Sequence, residues 1–397
     1  MTTTVDTRTR FDVEKFEDWK KEGVYPFFPT VESTTDNYIT TKENGKMLMF
    51  GSCDYLGLSQ NDYLKQKSIE AIQNFGTNTY GAQIFCGHTT IHNELENKLA
   101  KLYNKPAGII FPSGMTANIG VLTVLAGPDD VIINDRLNHI SIFMGSQLSG
   151  AQIRSFPHNN VKKLESILKQ SMDKGKRIIV VDGLFSADGD YAPLDKICAL
   201  AKEYNAIVMV DEAHSFGVVG PNGLGVAEHF GVLDQVDIVV GTMSKAVGSV
   251  GGFIVTNKEI EKGIRYYAPS YTSSRGSTPA VAAASLASLT YMEEHGLQLR
   301  EDLWRNSRYL IDKLQENGFN LLDTVSQIVP VLVGDDKKTA SVTSWLMEKG
   351  LFTAAFISPG VPVNKGRLRI GVTSSHSIEE CQKVVDLLIE AKEIFEF

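Results

Sequence analysis

The sequence has few cysteines, no excess of basic residues and no long apolar runs. Its four cysteines, Cys53, Cys86, Cys198 and Cys381, lie far apart, without the paired spacing of a zinc site or a disulfide framework. We therefore expect buried, reduced thiols and no metal site. The 47 acidic residues outnumber the 39 lysines and arginines, giving a formal net charge of −8. Without a basic patch, neither nucleic acid nor an anionic membrane is expected as a partner.

The apolar runs are too short for a membrane-spanning helix. Even the longest, such as Ile178–Val181 and Ile207–Val210, are bounded by polar residues. Met1 to Arg10 lacks the apolar core of a secretion signal. These absences predict a cytoplasmic protein with no integral membrane segment. The 397 residues, 43% of them hydrophobic, are enough for a large core and more than one domain.

Short apolar runs alternate with amphipathic helical patterns from Leu48 to about Ala284. This alternation predicts an α/β domain with a mainly parallel sheet. The clearest predicted strands are Ala107–Phe111, Val131–Asn134, Arg177–Val181, Ala206–Val210 and Val236–Gly241.

Three parts of the chain are predicted: an N-terminal segment (1–50), a large domain (51–290) and a smaller α+β domain (291–397). A helix is expected over Phe11–Gly23, crossing the surface of the large domain. Helical patterns over Ala280–His295 and Leu297–Asn317 flank the predicted boundary at Met292–Gly296. The predicted elements of the small domain are Ile328–Val333, Thr339–Lys349, Leu368–Val372 and Ile378–Phe397.

Polar residues at the ends of predicted strands are the candidates for chemistry, because ligands of open α/β sheets collect there. One strand ends in Asp211-Glu212-Ala213-His214, which also describes the metal-binding element of helicase-type ATPases. That alternative needs a glycine-rich loop ending in Gly-Lys-Ser/Thr, and neither Gly45-Lys46 nor Gly175-Lys176 fits. The next strand ends in Gly241-Thr242-Met243-Ser244-Lys245, where a lysine between small residues suits a Schiff base.

Together these residues indicate a pyridoxal 5′-phosphate (PLP) enzyme. A buried carboxylate such as Asp211 keeps the pyridine nitrogen of PLP protonated, and Lys245 forms the covalent link and then acts as base at Cα. Ser186 can reach the ring hydroxyl. The amides of Gly114 and Met115 start a predicted helix and suit a phosphate. The ring of His139 can stack on the pyridine.

The ordered motifs resemble the α-oxoamine synthases, fold-type I PLP enzymes of the aspartate aminotransferase-like fold. Within that family the chain is most similar to bacterial serine palmitoyltransferases. The resemblance runs from about Phe11 to the C-terminus. It rests on the motifs Asp54-Tyr55-Leu56-Gly57-Leu58, His92-x-x-Leu95-Glu96, Ser113-Gly114, His139, Phe185-Ser186-x-x-Gly189-Asp190, Asp211-Glu212-Ala213-His214-Ser215-x-Gly217 and Gly241-Thr242-x-Ser244-Lys245.

The resemblance implies a role for each matching residue. Catalysis falls to Lys245, His139 and Asp211. The amino-acid substrate is held by Arg369, Tyr55 and His139, since a planar arginine suits a carboxylate. The residues implied to hold PLP are Lys245, Asp211, His214, His139, Ser186, Gly114, Met115, Thr242, Ser244 and, from the neighbouring subunit of a homodimer, Ser273.

The implied reaction is a decarboxylating condensation of an amino acid with an acyl thioester, giving an α-amino ketone. Serine with a long-chain acyl-CoA is the first expectation, as in sphingolipid biosynthesis. Alanine or glycine, with a short-chain or carrier-protein-bound acyl group, is the alternative. Other readings are a different PLP reaction or a non-catalytic partner subunit, and the presence of Lys245 argues against the latter. Gln83 and Arg275 depart from the family pattern where the acyl donor or the partner subunit approaches.

Overall fold

The computed structural model describes residues 13–397, so Met1–Arg10 and the start of the predicted helix Phe11–Gly23 lie outside the described residues. The strands are β1 Val31–Thr35, β2 Tyr38–Thr41, β3 Gly45–Met49, β4 Ala107–Phe111, β5 Val131–Asp135, β6 Gln152–Phe156, β7 Arg177–Asp182, β8 Ile207–Asp211, β9 Ile238–Thr242, β10 Gly252–Thr256, β11 Ile328–Gly334, β12 Leu351–Phe352, β13 Ala354–Phe356 and β14 Gly366–Gly371. The helices are α1 Glu14–Lys21, α2 Asp62–Phe75, α3 Thr90–Leu102, α4 Gly114–Leu125, α5 Ile140–Ser149, α6 Val161–Lys169, α7 Leu194–Glu203, α8 Val226–His229, α9 Lys258–Tyr267, α10 Pro269–Thr272, α11 Pro279–Glu316, α12 Asp336–Glu348 and α13 Ile378–Phe395, with a π-helical turn at Gln83–Gly87 and a 3₁₀ turn at Leu233–Gln235.

A seven-stranded sheet forms the centre of the large domain, in the order β4-β10-β9-β8-β7-β5-β6. Strands β6, β5, β7, β8 and β9 pair in parallel, and β10 runs antiparallel between β9 and β4. The mainly parallel sheet predicted from the sequence is therefore confirmed. Every residue of β4, β5, β7, β9 and β10 is buried, as expected for strands covered on both faces.

The five strands predicted most clearly all form, and their observed ends differ from the predicted ones by no more than two residues. Their apolar side chains divide between two buried clusters. Ile179 and Val181 belong to one, whereas Ile178 and Val180 belong to the other. The alternation follows from the two-residue period of a strand, which sends neighbouring side chains to opposite faces.

The C-terminal part contains an antiparallel sheet in the order β11-β14-β13, with α12 and α13 beside it. The helix α11 leads into it as one continuous element of 38 residues. The segment Met292–Gly296, predicted as the domain boundary, lies inside this helix. The division of the chain at residue 290 therefore remains a proposal.

The N-terminal strands join the C-terminal part of the chain. Strand β3 pairs in parallel with β12, completing a four-stranded sheet in the order β1-β2-β3-β12. Just after α1, Glu22 forms an ion pair with Lys337 of α12 at 2.5 Å. The expectation that this helix crosses the large domain stays a prediction. The backbone of β3 pairs with β12, and its Met47 packs against Met347.

The expectation of buried thiols holds for only two of the four cysteines. Cys198 and Cys381 are buried, but Cys86 is exposed and Cys53 is half-buried, and all four are free. Between residues 13 and 397, no helix combines the length and apolar character needed to cross a membrane.

Candidate active site

The ends of five strands of the large sheet bring the predicted site residues together. The carboxyl ends of the parallel strands β5, β7, β8 and β9 lie at one edge of the sheet. The end of β4 lies at the same edge, because two antiparallel pairings through β10 restore its direction. Residues that follow these strands therefore meet although Gly114 and Lys245, for example, are 131 positions apart in sequence.

A cavity of about 230 Å³ opens at this edge. Nine of the predicted residues line it: Gly114, Met115, His139, Ser186, Asp211, His214, Thr242, Ser244 and Lys245. A larger cavity of about 540 Å³ lies between α3 and α11, but none of the predicted site residues lines it. The chemistry of the side chains, and not the size of the cavity, therefore identifies the site.

Lys245 lies in a tight loop between β9 and β10. The loop is closed by backbone hydrogen bonds from Gly248 to Lys245 and from Ser249 to Met243, at 2.8 and 2.9 Å. Burial lowers the pKa of Lys245, and the nearby charge of Asp211 opposes this shift in part. A lowered pKa increases the fraction of neutral amine, the form that acts as nucleophile or base.

Two buried aspartates lie side by side at the ends of β7 and β8, where Asp182 is the cross-strand neighbour of Asp211. Asp211 accepts hydrogen bonds from the Asn118 side chain at 2.7 Å and from the Ala213 amide at 2.9 Å. Asp182 accepts only from the His139 amide, at 3.1 Å, and its other oxygen has no hydrogen-bond partner among the described residues. Burial, with the charge of Asp211 added, raises the pKa of Asp182 well above its ordinary value. Burial beside a second carboxyl therefore favours the protonated form of Asp182.

Two histidines line the cavity, His139 near its surface and His214 deeper inside. His139 precedes α5, and its Nδ1 lies 2.7 Å from the Ser141 hydroxyl and accepts from the Ser141 amide at 3.3 Å. Its Nε2 is thereby left to carry the proton. His214 is buried, and its Nδ1 lies 2.7 Å from the hydroxyl of Tyr55. Burial lowers the pKa of His214 well below its ordinary value, so the ring is neutral.

A group of hydrogen-bond donors faces the cavity at the start of α4. Ser113 caps this helix, and the amides of Gly114 and Met115 precede its first internal hydrogen bonds. The hydroxyls of Thr242 and Ser244 lie 2.7 Å apart, and a methyl group added to Gly114 would contact Thr242 at 3.5 Å. Backbone amides at a helix start beside two hydroxyls suit a phosphate.

Two predicted residues lie behind the cavity and not on its wall. Tyr55 is fully buried and reaches the cavity only through His214. Arg369, on β14, is 7% exposed and donates to the sulfur of Cys53 at 2.6 Å. Its Nε is buried without a partner in the part of the chain that the structure describes. The positive charge of Arg369 contributes to lowering the pKa of Lys245, so the two cations lie close together.

Ser273 is exposed at the end of α10 and does not line this cavity. The two residues that depart from the family pattern hold the nearby loops together. Gln83 is buried, donates to the carbonyl of Ile110 at 3.1 Å and accepts from the Tyr271 hydroxyl at 3.3 Å. Arg275 donates to the carbonyl of Thr79.

Three site residues were missed in the sequence: Asn118, Asp182 and Cys53. Asn118 had a usable signal, because it follows Gly114 by four positions and therefore shares its helix face. Asp182 is the last residue of β7, directly before the motif that contains Ser186. Cys53 carries no local signal, since Arg369 lies 316 positions away.

The residues at this site fit PLP. The unpaired amides of α4 can hold its phosphate, Asp211 its ring nitrogen, Ser186 and His214 the side of its ring hydroxyl, and Lys245 its aldehyde carbon. The lowered pKa of Lys245 suits this last role. These assignments of individual residues are proposals from the geometry.

Comparison with known proteins identifies the family of the chain. Residues 48–388 match the family described as aminotransferase class I and II. The 8-amino-7-oxononanoate synthase of Thermoanaerobacter pseudethanolicus is 38% identical over 373 residues, covering 93% of both chains. The serine palmitoyltransferase of Sphingobacterium spiritivorum is 35% identical over 373 residues, covering 94% of this chain and 93% of the other. A solved structure described as SPT with a PLP internal aldimine superposes with a TM-score of 0.93 and 32% identity, covering 97% of each chain.

The fold is thus the fold-type I architecture expected from the motifs, and the cofactor is PLP. The similarity covers both the large sheet and the C-terminal part. The chain therefore belongs to the class I and II aminotransferase family, within which it is a PLP-dependent acyltransferase of the α-oxoamine synthase type.

Proposed function

We propose that this α-oxoamine synthase condenses L-serine with a long-chain acyl-CoA. A carbon–carbon bond forms between the serine Cα and the acyl carbonyl carbon, CoA leaves as the thiol, and the serine carboxylate leaves as carbon dioxide. The observation that carries the proposal is the buried guanidinium of Arg369, close to Lys245 and with an unpartnered Nε. A buried cation of this kind suits the carboxylate of an amino acid.

The side chains around the cavity have separate tasks in this reaction. Arg369 and His139 hold the carboxylate, and Tyr55 orients His214. Lys245 removes the proton from Cα, since its lowered pKa makes the neutral amine available. Bound PLP supplies an electron sink for the negative charge at Cα. His139 lines the same cavity, and its ring would stack on the pyridine of PLP.

We favour serine and a long acyl chain as substrates because the superposition with SPT covers almost the whole chain. The second candidate uses alanine or glycine, with a shorter acyl group or one bound to a carrier protein. It is favoured by the 38% identity with an 8-amino-7-oxononanoate synthase. The two candidates share every step at Lys245 and differ in the amino acid and the acyl donor.

We further propose a homodimer with shared active sites. Ser273 is exposed at the end of α10, and Arg275 ties this loop to the segment around Thr79. The adjoining segment exposes large apolar side chains, with Tyr80 at 93% and Phe85 at 82%. Such side chains are typical of a surface that a second subunit covers. Light scattering of the purified protein tests this, and the mass of a single chain at micromolar concentration would refute it.

The test of the reaction begins with the absorption spectrum of the PLP-loaded protein. A band between the near ultraviolet and blue is expected, and Lys245→Ala should abolish it. Lys105→Ala is the matched control, because burial also lowers the pKa of Lys105 while its amine binds the Val236 carbonyl, away from the cavity. The band should survive in this control. Loss in both variants, or in neither, would contradict the role of Lys245.

The substrates are then named by two measurements. Each amino acid of a panel is added to the loaded protein, and the one that shifts the band is the first substrate. Release of free thiol from acyl-CoA, together with a ketone product, establishes condensation. A shift with alanine and not serine would select the second candidate. A keto acid formed without thiol release would refute both.

A further inference from the structure

Cys53 lies against the arginine proposed to bind the substrate carboxylate. It follows β3 and is half-buried, and its sulfur accepts a hydrogen bond from Arg369 at 2.6 Å. The remaining Nε of Arg369 is buried and has no partner among residues 13–397. The hydrogen-bond donors of the guanidinium are therefore only partly paired. The Cys53 thiol lies where an anionic ligand of Arg369 would lie.

The charges around Cys53 favour its thiolate. Burial acts to raise the pKa of the thiol, but the positive charges of Arg369 and Lys245 outweigh it, so the pKa is lowered. The hydroxyl of Tyr55 acts in the same direction. A thiolate is the reactive form of cysteine, and a partly exposed thiol between cations is the usual setting of a reactive one.

The other three cysteines differ in access or in surroundings. Cys198 and Cys381 are buried, and burial raises the pKa of each thiol to about 12. Cys86 is exposed. Cys53 alone among the four combines access with a hydrogen bond from a guanidinium.

We propose that Cys53 is a site of covalent modification by hydrogen peroxide, placed where the substrate carboxylate meets Arg369. The thiolate sulfur attacks one peroxide oxygen, so an S–O bond forms and the O–O bond breaks. Hydroxide leaves and takes the proton of the newly formed S–OH group, giving water. The sulfur loses two electrons, which the peroxide gains, and the product is a sulfenate. Its anionic oxygen stays beside Arg369 and excludes a carboxylate.

The proposal has two parts that depend on different premises. The reactivity of Cys53 follows from its contact with Arg369 and requires no turnover. The block of substrate binding rests on the proposed function, in which Arg369 binds an amino acid. The experiment therefore measures reactivity and protection separately.

Reactivity is measured on the full-length, PLP-loaded protein with limiting iodoacetamide, and each cysteine is followed by peptide mass spectrometry. At pH 6, Cys53 should react faster than Cys86, because the hydrogen bond from Arg369 and the lowered pKa of the Cys53 thiol favour its thiolate. Cys198 and Cys381 should remain unlabelled, which reports an intact fold.

Two variants of the arginine test the cause of the reactivity. Arg369→Gln removes the charge and should slow the labelling of Cys53 at pH 6 to or below the rate of Cys86. Arg369→Lys keeps a positive charge and should retain most of the reactivity. Labelling no faster than that of Cys86 in the wild type, or unchanged in Arg369→Gln, would overturn the proposal.

Peroxide is then added in place of iodoacetamide, and the sulfenate is trapped with dimedone. The adduct should appear on Cys53 before Cys86, and its absence from Cys53 would also overturn the proposal. The amino acid that shifts the PLP absorption band should slow both reactions of Cys53. If Cys53 reacts as expected but no amino acid protects it, the modification site stands and the proposed role of Arg369 fails.

Discussion

Replacing Asp211 should weaken PLP binding far more than replacing its neighbour Asp182, although both are buried at the same edge of the sheet. Asp211 accepts two N–H hydrogen bonds, as an ionised carboxylate does, and is proposed to hold the protonated ring nitrogen of PLP. The pKa of Asp182 is raised well above its ordinary value by burial, which favours its protonated, neutral form. An asparagine imitates a neutral acid but not a carboxylate.

The size of the effect follows from the burial of the pair. Removing one partner of a buried ion pair costs about 3–5 kcal/mol. Since about 1.4 kcal/mol corresponds to a tenfold change in affinity, Asp211→Asn should weaken PLP binding on the order of 100- to 3000-fold. Asp182→Asn keeps an acceptor for the His139 amide and should change the affinity by less than about fivefold, or about 1 kcal/mol.

The assay is a titration of each apoprotein with PLP, followed by absorbance. Thermal unfolding of the apoproteins shows whether the two variants fold equally well. Equal losses of affinity in both variants would refute the different roles proposed for the two acids. An Asp211→Asn protein that binds PLP within about threefold of the wild type would refute the ion pair itself.

Two further predictions concern stability. Burial acts to lower the pKa of His158, but its hydrogen bonds to Asp135 and Asp190, at 3.1 and 2.8 Å, raise it to about 10. The pKa of His158 in the folded protein lies above its ordinary value of 6.5. The stabilisation of the folded state by protonated His158 is therefore complete below pH 6.5 and is lost as the pH rises to about 10. Urea unfolding should show His158→Gln less stable than the wild type at pH 6, with the difference shrinking by pH 10; a constant difference would contradict this. Arg265→Met should cost about 3–5 kcal/mol in urea unfolding, because it leaves Glu96, 2.6 Å away and 3% exposed, as an unpaired buried charge. Adding Glu96→Gln should recover part of that loss, and an equally unstable double variant would speak against the pair.

Much of the large domain follows from local sequence patterns. Val131–Asp135 and Arg177–Asp182 are apolar runs flanked by turns, so their strands are visible from neighbouring residues alone. The site could be predicted in part for the same reason. Residues such as Lys245 and Asp211 directly follow strands, and parallel strands bring their carboxyl ends to one edge.

Other features depend on contacts between distant segments. The pairing of β3 with β12 joins residues about 300 positions apart, and nothing in either segment specifies the other. The same limit applied to Met292–Gly296, where Gly296 suggests an end to the helix but α11 continues through it. Packing decides such cases, because a glycine in a helix costs only about 1 kcal/mol.

By itself, the sequence determined the clearest strands of the large sheet, the cofactor and the residues at the ends of those strands, because periodicity and motif order are local properties. Only the tertiary structure decided the environment of those residues. It raised the pKa of Asp182 beside Asp211, placed Tyr55 behind His214 and brought Cys53 to Arg369. Burial and the distance between charges set these states, and both arise only when remote parts of the chain pack together.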